Sequence, residues 1–179
     1  MADDLPTIRA ARADDAAALA SVTARAYEAT YRGIVPGPVL DDWIAGARAG
    51  WDEALPRLTD PDQPSRAWVA ERDGQPIGYA TTSPGKDWWL PPPDGAGELT
   101  NLYLDPDVIG SGIGGLLYRH ATADLRERGF NPFVVWAFRD NPRAIGFYEA
   151  MGLVIDVPDH TWDLGGVACP IVRFRADWT

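Results

Sequence analysis

The chain has 179 residues, 46% hydrophobic and 23% charged, which suits one globular unit with a full core and leaves little room for a second, so a single domain over 1–179 is expected. Its formal net charge of −10 excludes the basic face that nonspecific nucleic-acid binding needs, and is compatible with a cationic substrate such as an amine. A lone cysteine, Cys169, excludes an internal disulfide and a thiolate metal cluster, while the acidic start and the lack of a bilayer-length apolar run point to a cytoplasmic protein with no membrane partner.

The elements follow in chain order. A short alternating strand around Ile8 leads through Asp14 and Asp15, both capping residue types, into an Ala-rich helix whose Leu19, Val22 and Ala26 recur at helical spacing. "VLDDWIAGARAGWDEAL" reads as a second helix, weakened by Gly46 and Gly50. "RAWVAERDGQPIGYATTS" is a hairpin turning at Asp73 and Gly74. Residues 83 to 97 form a proline-rich loop excluded from a sheet interior; its Trp88 and Trp89 suit either a substrate wall or a loop folded onto its own surface. "GELTNLYLD" returns to an extended pattern. A helix follows from Gly114 to Gly129, with Leu117, Ala121 and Leu125 on one stripe. "FVVWAF" is a continuous apolar strand of the kind buried on both faces. "DNPRAIGFYEAMG" is a compact helix with Asn141 as cap, Pro142 in first position and Gly152 past the end, and the tail reads as two strands closing the sheet. This order predicts an α/β fold, a mixed sheet covered by helices.

"GSGIGG", residues 110 to 115, satisfies the dinucleotide fingerprint through Gly110, Gly112 and Gly115, but "DPDVI" separates it from the strand and a meander of strands precedes it, against a Rossmann unit. No Gly-Lys-Ser/Thr follows, so it is not a Walker loop. What remains is an anion seat, where glycines let backbone amides crowd one point and a helix mouth adds unsatisfied donors and a positive dipole end.

"LTNLYLDPDVIGSGIGGLLYRHA" resembles the acetyl-CoA motif of the GNAT superfamily of N-acetyltransferases, a strand, a Q/R-x-x-G-x-G/A loop and a helix. "DNPRAIGFYEAMGL" is similar to the family's second signature, with Asn141 opening a helix that carries Tyr148. In element order the resemblance spans about residues 7 to 175, its specific motifs lying in 98 to 153. It implies a GNAT-like sheet of about six to seven strands, acetyl-CoA as cosubstrate, a small-molecule or peptide amine as acceptor, and a homodimer by analogy. Backbone groups of Leu102, Tyr103 and Leu104 are implied to pair with the pantetheine arm, and Gly110, Ser111, Gly112, Ile113, Gly114 and Gly115 to cup the pyrophosphate. Asn141 is implied to hydrogen-bond the cofactor where the central strands splay. One departure is Ile109, at the family's Gln or Arg position; Arg119, Arg139 and Arg143 are candidates to supply the missing polarity.

Acetyl transfer to an amine needs the ammonium deprotonated, an oxyanion stabilised and the departing thiolate protonated. Tyr148 is the candidate acid, since its phenol, with a reference pKa near 10, carries a proton at neutral pH; its alternative is plain packing against the sheet. Some members of the family carry a Glu on the strand before Asn141, a place taken by Trp136 here, so Glu98 becomes the candidate base, acting directly or through a water; its alternative is a strand-entry residue in solvent. His120 reads as packed or surface, His160 as part of a late turn, and no His, Asp or Glu cluster has metal-ligand spacing. The reading is an N-acetyltransferase acting by direct attack in a ternary complex. Its rivals are a catalytically inactive CoA-binding sensor or interaction module and, third, a hydride-transferring dinucleotide enzyme.

Overall fold

The computed structural model describes residues 5–178, so the first four residues of the acidic start lie outside the described residues. Its strands are β1 (Thr7–Ala10), β2 (Arg66–Arg72), β3 (Gln75–Pro84), β4 (Gly97–Leu104), β5 (Phe133–Phe138), β6 (Val154–Leu164) and β7 (Val167–Ala176). They form one seven-stranded sheet in the order β1-β2-β3-β4-β5-β7-β6. Helices α1 (Ala16–Tyr31) and α2 (Gly37–Leu58) pack on one face, α3 (Ile113–Glu127) and α4 (Pro142–Ala150) on the other. The expected mixed sheet flanked by helices is therefore present.

Local sequence explains most of these elements. Leu19, Val22 and Ala26 of α1 are buried against the sheet, as their spacing predicts. The β2–β3 turn places Asp73 at φ +52 and Gly74 at +73, the left-handed pair that a two-residue hairpin demands. α2 runs unbroken through Gly46 and Gly50, because burying Leu40, Ala47, Trp51 and Leu55 outweighs a glycine penalty of about 1 kcal/mol each. His160 lies within β6 rather than in a turn.

The sheet is antiparallel except between β4 and β5, and this one parallel contact is minimal: Gly97 pairs with Phe133 and Glu98 with Val134, and no further. Beyond that point β4 stays in register with β3 and β5 with β7, so the two strands part. The β3–β4 register slips between Thr81 and Thr82, leaving Thr100 as an extra residue on β4 near the parting point. β5 consequently has two characters: Phe133, Val134 and Val135 are buried as predicted, whereas Trp136 and Ala137 are half-buried along the opening.

Asp15 precedes α1 but does not cap it through its side chain. Its carboxylate instead accepts two hydrogen bonds from Arg9, at 2.7 and 2.8 Å, and one from the Arg12 amide at 2.7 Å, tying β1 to the helix entry. Burial works to raise the Asp15 pKa, but these donors outweigh it and hold it below the ordinary carboxylate value. A depressed folded-state pKa means stabilisation that is present above the unfolded value, near 3.9, and lost as pH falls through the folded one. Asp15→Asn should therefore lower unfolding stability by about 2 kcal/mol at neutral pH. In urea titrations across acidic pH the gap from wild type should close below about pH 4.

Candidate active site

Two cavities meet where β4 and β5 diverge. The first, about 440 Å³, opens on the α3/α4 side and is lined by Leu102, Tyr103 and Leu104 of β4, by Gly110, Gly112, Gly114 and Gly115, and by Asn141 and Tyr148. The structure thus brings together most of the residues expected to hold the cofactor. Two are placed differently. Ile113 is buried in the core, and both the hydroxyl and the amide of Ser111 donate to the Val108 carbonyl, at 2.6 and 3.4 Å, so neither side chain lines the cavity and of the two only the Ile113 amide is left to it.

The glycine bend has the form of an anion seat. Gly110 and Gly112 sit at φ +86 and +85, and a Cβ at either would meet no atom within 4 Å, so conformation rather than crowding requires glycine. The first bond closing α3 runs from the Leu116 amide to Gly112 O at 3.3 Å, which leaves the amides of Ile113, Gly114 and Gly115 without helical acceptors. Ile109 lines the cavity where the motif has a polar residue. Cations are nonetheless close: the Arg119 guanidinium lies 3.2 Å from where a Gly115 Cβ would be, and Arg143 lines the cavity itself. Neither has a carboxylate partner among the described residues, whereas Arg139 is held away by Asp159 at 2.7 Å.

Asn141 is buried, and its side-chain oxygen accepts from the Ala144 amide at 3.2 Å, capping α4. Its amide NH2 is its remaining donor to a ligand. Tyr148 is buried against Phe147 and Phe174, and its hydroxyl bonds to no other described residue. Burial pushes the phenol well above its usual value near 10, so it is protonated at neutral pH.

The second cavity, about 860 Å³, lies on the α1/α2 side and contains Glu98, Trp88 and Trp89 in its wall. Tyr31, Thr100, Asn101, Tyr103, Trp136, Ala137 and Phe138 line both cavities, so the strand gap joins them. Glu98 is not in solvent, being only 3% exposed. Its carboxylate accepts from Trp88 Nε1 at 2.9 Å and from the Lys86 amide at 3.2 Å, and burial raises its pKa despite these donors. The tryptophan loop thus folds onto the protein and walls a cavity at the same time. Arg173 holds its other end through Pro91 O at 3.1 Å.

Tyr31 and Tyr103 share a hydrogen bond of 2.6 Å at the junction, with burial pushing the Tyr31 phenol up to about 12. The sequence implies a backbone role for Tyr103 and none for Tyr31; the Tyr27/Tyr31 helical spacing is the available signal. His120 meets Trp68 edge-on and His160 lies beside Trp136, and neither lines either of these two cavities. Cys169 is buried, with its thiol pKa raised by that burial. Among the described residues no group of three or more His, Cys, Asp or Glu could hold a metal, and no helix is long and apolar enough to cross a membrane.

The model of the Acetyltransferase (GNAT) family matches residues 38–153. The chain belongs to the GNAT family of acetyltransferases. Over 174 residues this GNAT protein is 30% identical to "Probable N-acetyltransferase Rv2775" of Mycobacterium tuberculosis, covering 94% of this chain and 91% of that one. It is 27% identical over 159 residues to the peptidyl-lysine N-acetyltransferase YjaB of Escherichia coli, with 89% of each chain covered. Its fold matches the crystal structure of PaiA N-acetyltransferase from Thermoplasma acidophilum in complex with coenzyme A with a TM-score of 0.74, at 20% identity, over 94% of this chain and 97% of that one. Acetyl-CoA is the cosubstrate of the GNAT family. The cavity between the glycine bend and α4 fits such a group, offering free amides, nearby cations and an open strand edge.

The double duty of Asn141 is separable. Asn141→Asp keeps the capping oxygen and should unfold within about 0.5 kcal/mol of wild type, whereas Asn141→Ala should lose about 1 kcal/mol. Both should weaken coenzyme A binding by calorimetry, since both lack the amide donor.

Proposed function

We propose that this acetyltransferase moves the acetyl group of acetyl-CoA to a primary amine by direct attack in a ternary complex. The observation that carries the reading is the junction of the two cavities through the β4/β5 gap, which lets donor and acceptor approach from opposite faces of the sheet and meet inside it. Amides of Gly110, Gly112, Ile113, Gly114 and Gly115, with Arg119 and Arg143, hold the diphosphate. The free edge of Leu102 to Leu104 takes the pantetheine arm as a further strand, and an amide there polarises the thioester carbonyl.

Tyr148 acts as the acid. Its phenol is protonated at neutral pH and donates as the thiolate departs; burial raises the phenol's pKa but also the basicity of a leaving thiolate formed in the same desolvated cleft, so the transfer rests on that shared burial. Glu98 acts as the base for the incoming ammonium, directly or through a water. A carboxylate offers about four acceptor sites, so the donors from Trp88 and Lys86 leave capacity for another proton donor. The same burial that lifts its pKa makes it a better match for work near neutrality.

Tyr148→Phe should lower kcat about 100-fold in a thiol-release assay while leaving coenzyme A affinity unchanged. Coenzyme A binding without turnover of any amine by the wild type would instead favour a CoA-binding sensor. Glu98 must be ionised to work, so wild-type kcat/KM should rise with pH through a limb lying above the ordinary carboxylate range. Glu98→Gln should lose that limb and lower kcat/KM by about 100-fold.

A further inference from the structure

The acceptor-side cavity is far more aromatic than amine binding alone requires. Trp43 of α2, Trp89 of the proline-rich loop, Trp136 of β5 and Trp162 of β6 all line it, and all four are only half-buried. They are one connected set. Trp43 stacks on Trp162 with centroids 5.4 Å apart, and Trp89 packs against both Trp136 and Trp162 at 5.0 and 5.1 Å. Phe138 stacks on Trp162 at 5.8 Å and also lines the gap towards the first cavity, so the aromatic surface is continuous with the junction.

The polar side chains of the same wall are mostly taken by one another. Thr23 bonds to Tyr79 and Trp51, each at 2.8 Å, Asn101 donates to Thr81 at 2.7 Å, and Tyr31 bonds to Tyr103. Charge does not choose a ligand either, because Asp42 and Glu98 are set against Arg57 and Lys86 in the lining. What folding leaves uncovered is therefore aromatic surface. α2 makes room for an occupant: Gly46 and Gly50 line the cavity, and a Cβ at either would meet no atom within 4 Å. Helix-weakening glycines that face open space, next to Trp43, keep the volume beside the tryptophans free.

We infer that the acceptor is an amine joined by a short linker to an aromatic ring, the ring lying among Trp43, Trp89, Trp136 and Trp162 and the amino group reaching the strand gap. This rests on the proposed function for the chemistry but not for the binding. A planar ring fits because the set already consists of stacked and tilted ring pairs, to which another ring adds both burial and aromatic geometry. A sugar's hydroxyls would meet a wall whose Thr23, Tyr31, Asn101 and Tyr103 side chains are already paired, and a polyamine's further ammonium groups would have Asp42 but would also face Arg57 and Lys86.

Calorimetry on the protein saturated with coenzyme A, using phenylethylamine, propylamine, spermidine and a lysine-containing peptide, tests the inference. Phenylethylamine should bind roughly ten-fold or more tightly than propylamine, the gain expected from burying a ring. Trp162→Ala should abolish most of that difference. Gly46→Leu, which fills the cavity from a helix without touching an aromatic residue, should weaken phenylethylamine binding while leaving the melting temperature equal or higher. Equal affinities for phenylethylamine and propylamine, tighter binding of spermidine or the peptide, or indifference to both substitutions would overturn it. Thiol release from acetyl-CoA, measured in parallel, separates the two readings. Selective ring binding with no turnover defeats the proposed function alone, and turnover of other amines with no ring preference defeats this inference alone.

Discussion

The parting of β4 from β5 after two residue pairs is the constraint on which the site depends. Each strand is fully committed on its outer side, β4 to β3 and β5 to β7, and those antiparallel ladders carry the strands in diverging directions. The result is a sheet with an opening in its middle rather than at its rim. Backbone groups of β4 along that opening have no partner strand, an arrangement that an unfilled protein interior could not tolerate but a ligand cleft can. The helix cap at Asn141, the phenol of Tyr148 and the glycine bend all open onto it.

Electrostatics is arranged locally against the global trend. A chain with a net charge of −10 offers little long-range attraction to a diphosphate. Short-range donors stand at the glycine bend instead: uncommitted helix-mouth amides and two arginines with no carboxylate partner among the described residues. Arg139, the third candidate, is occupied by Asp159 at the β6 side, which sequence proximity to Asn141 could not reveal.

The tryptophan loop shows how a structural and a functional reading coexist. Glu98 draws in Trp88 and the Lys86 amide, Arg173 holds Pro91 O while lying 5.6 Å over the Trp136 ring, and the loop is fixed from both ends of the cavity wall. Its aromatics are folded onto the protein, and that folding is what makes them a wall. Glu98 is thereby buried with a raised pKa, two properties of a residue that in sequence is only the entry to a strand.

Much was legible in the residues themselves. Hydrophobic spacing located α1 and α3, the Asp73–Gly74 pair located the hairpin, and Asn141-Pro142 located the start of α4, because these signals act within a few residues through backbone conformation and local burial. The left-handed turn at the glycine bend was legible for the same reason. Three things were decided only by the tertiary structure: the half-exposure of Trp136 and Ala137 in a strand that looked wholly interior, the burial of Glu98, and the gathering of tryptophans from α2, β5, β6 and a loop into one surface. Each depends on where β4 and β5 separate and on which helix covers which face, and such long-range geometry leaves no periodicity in the chain to read.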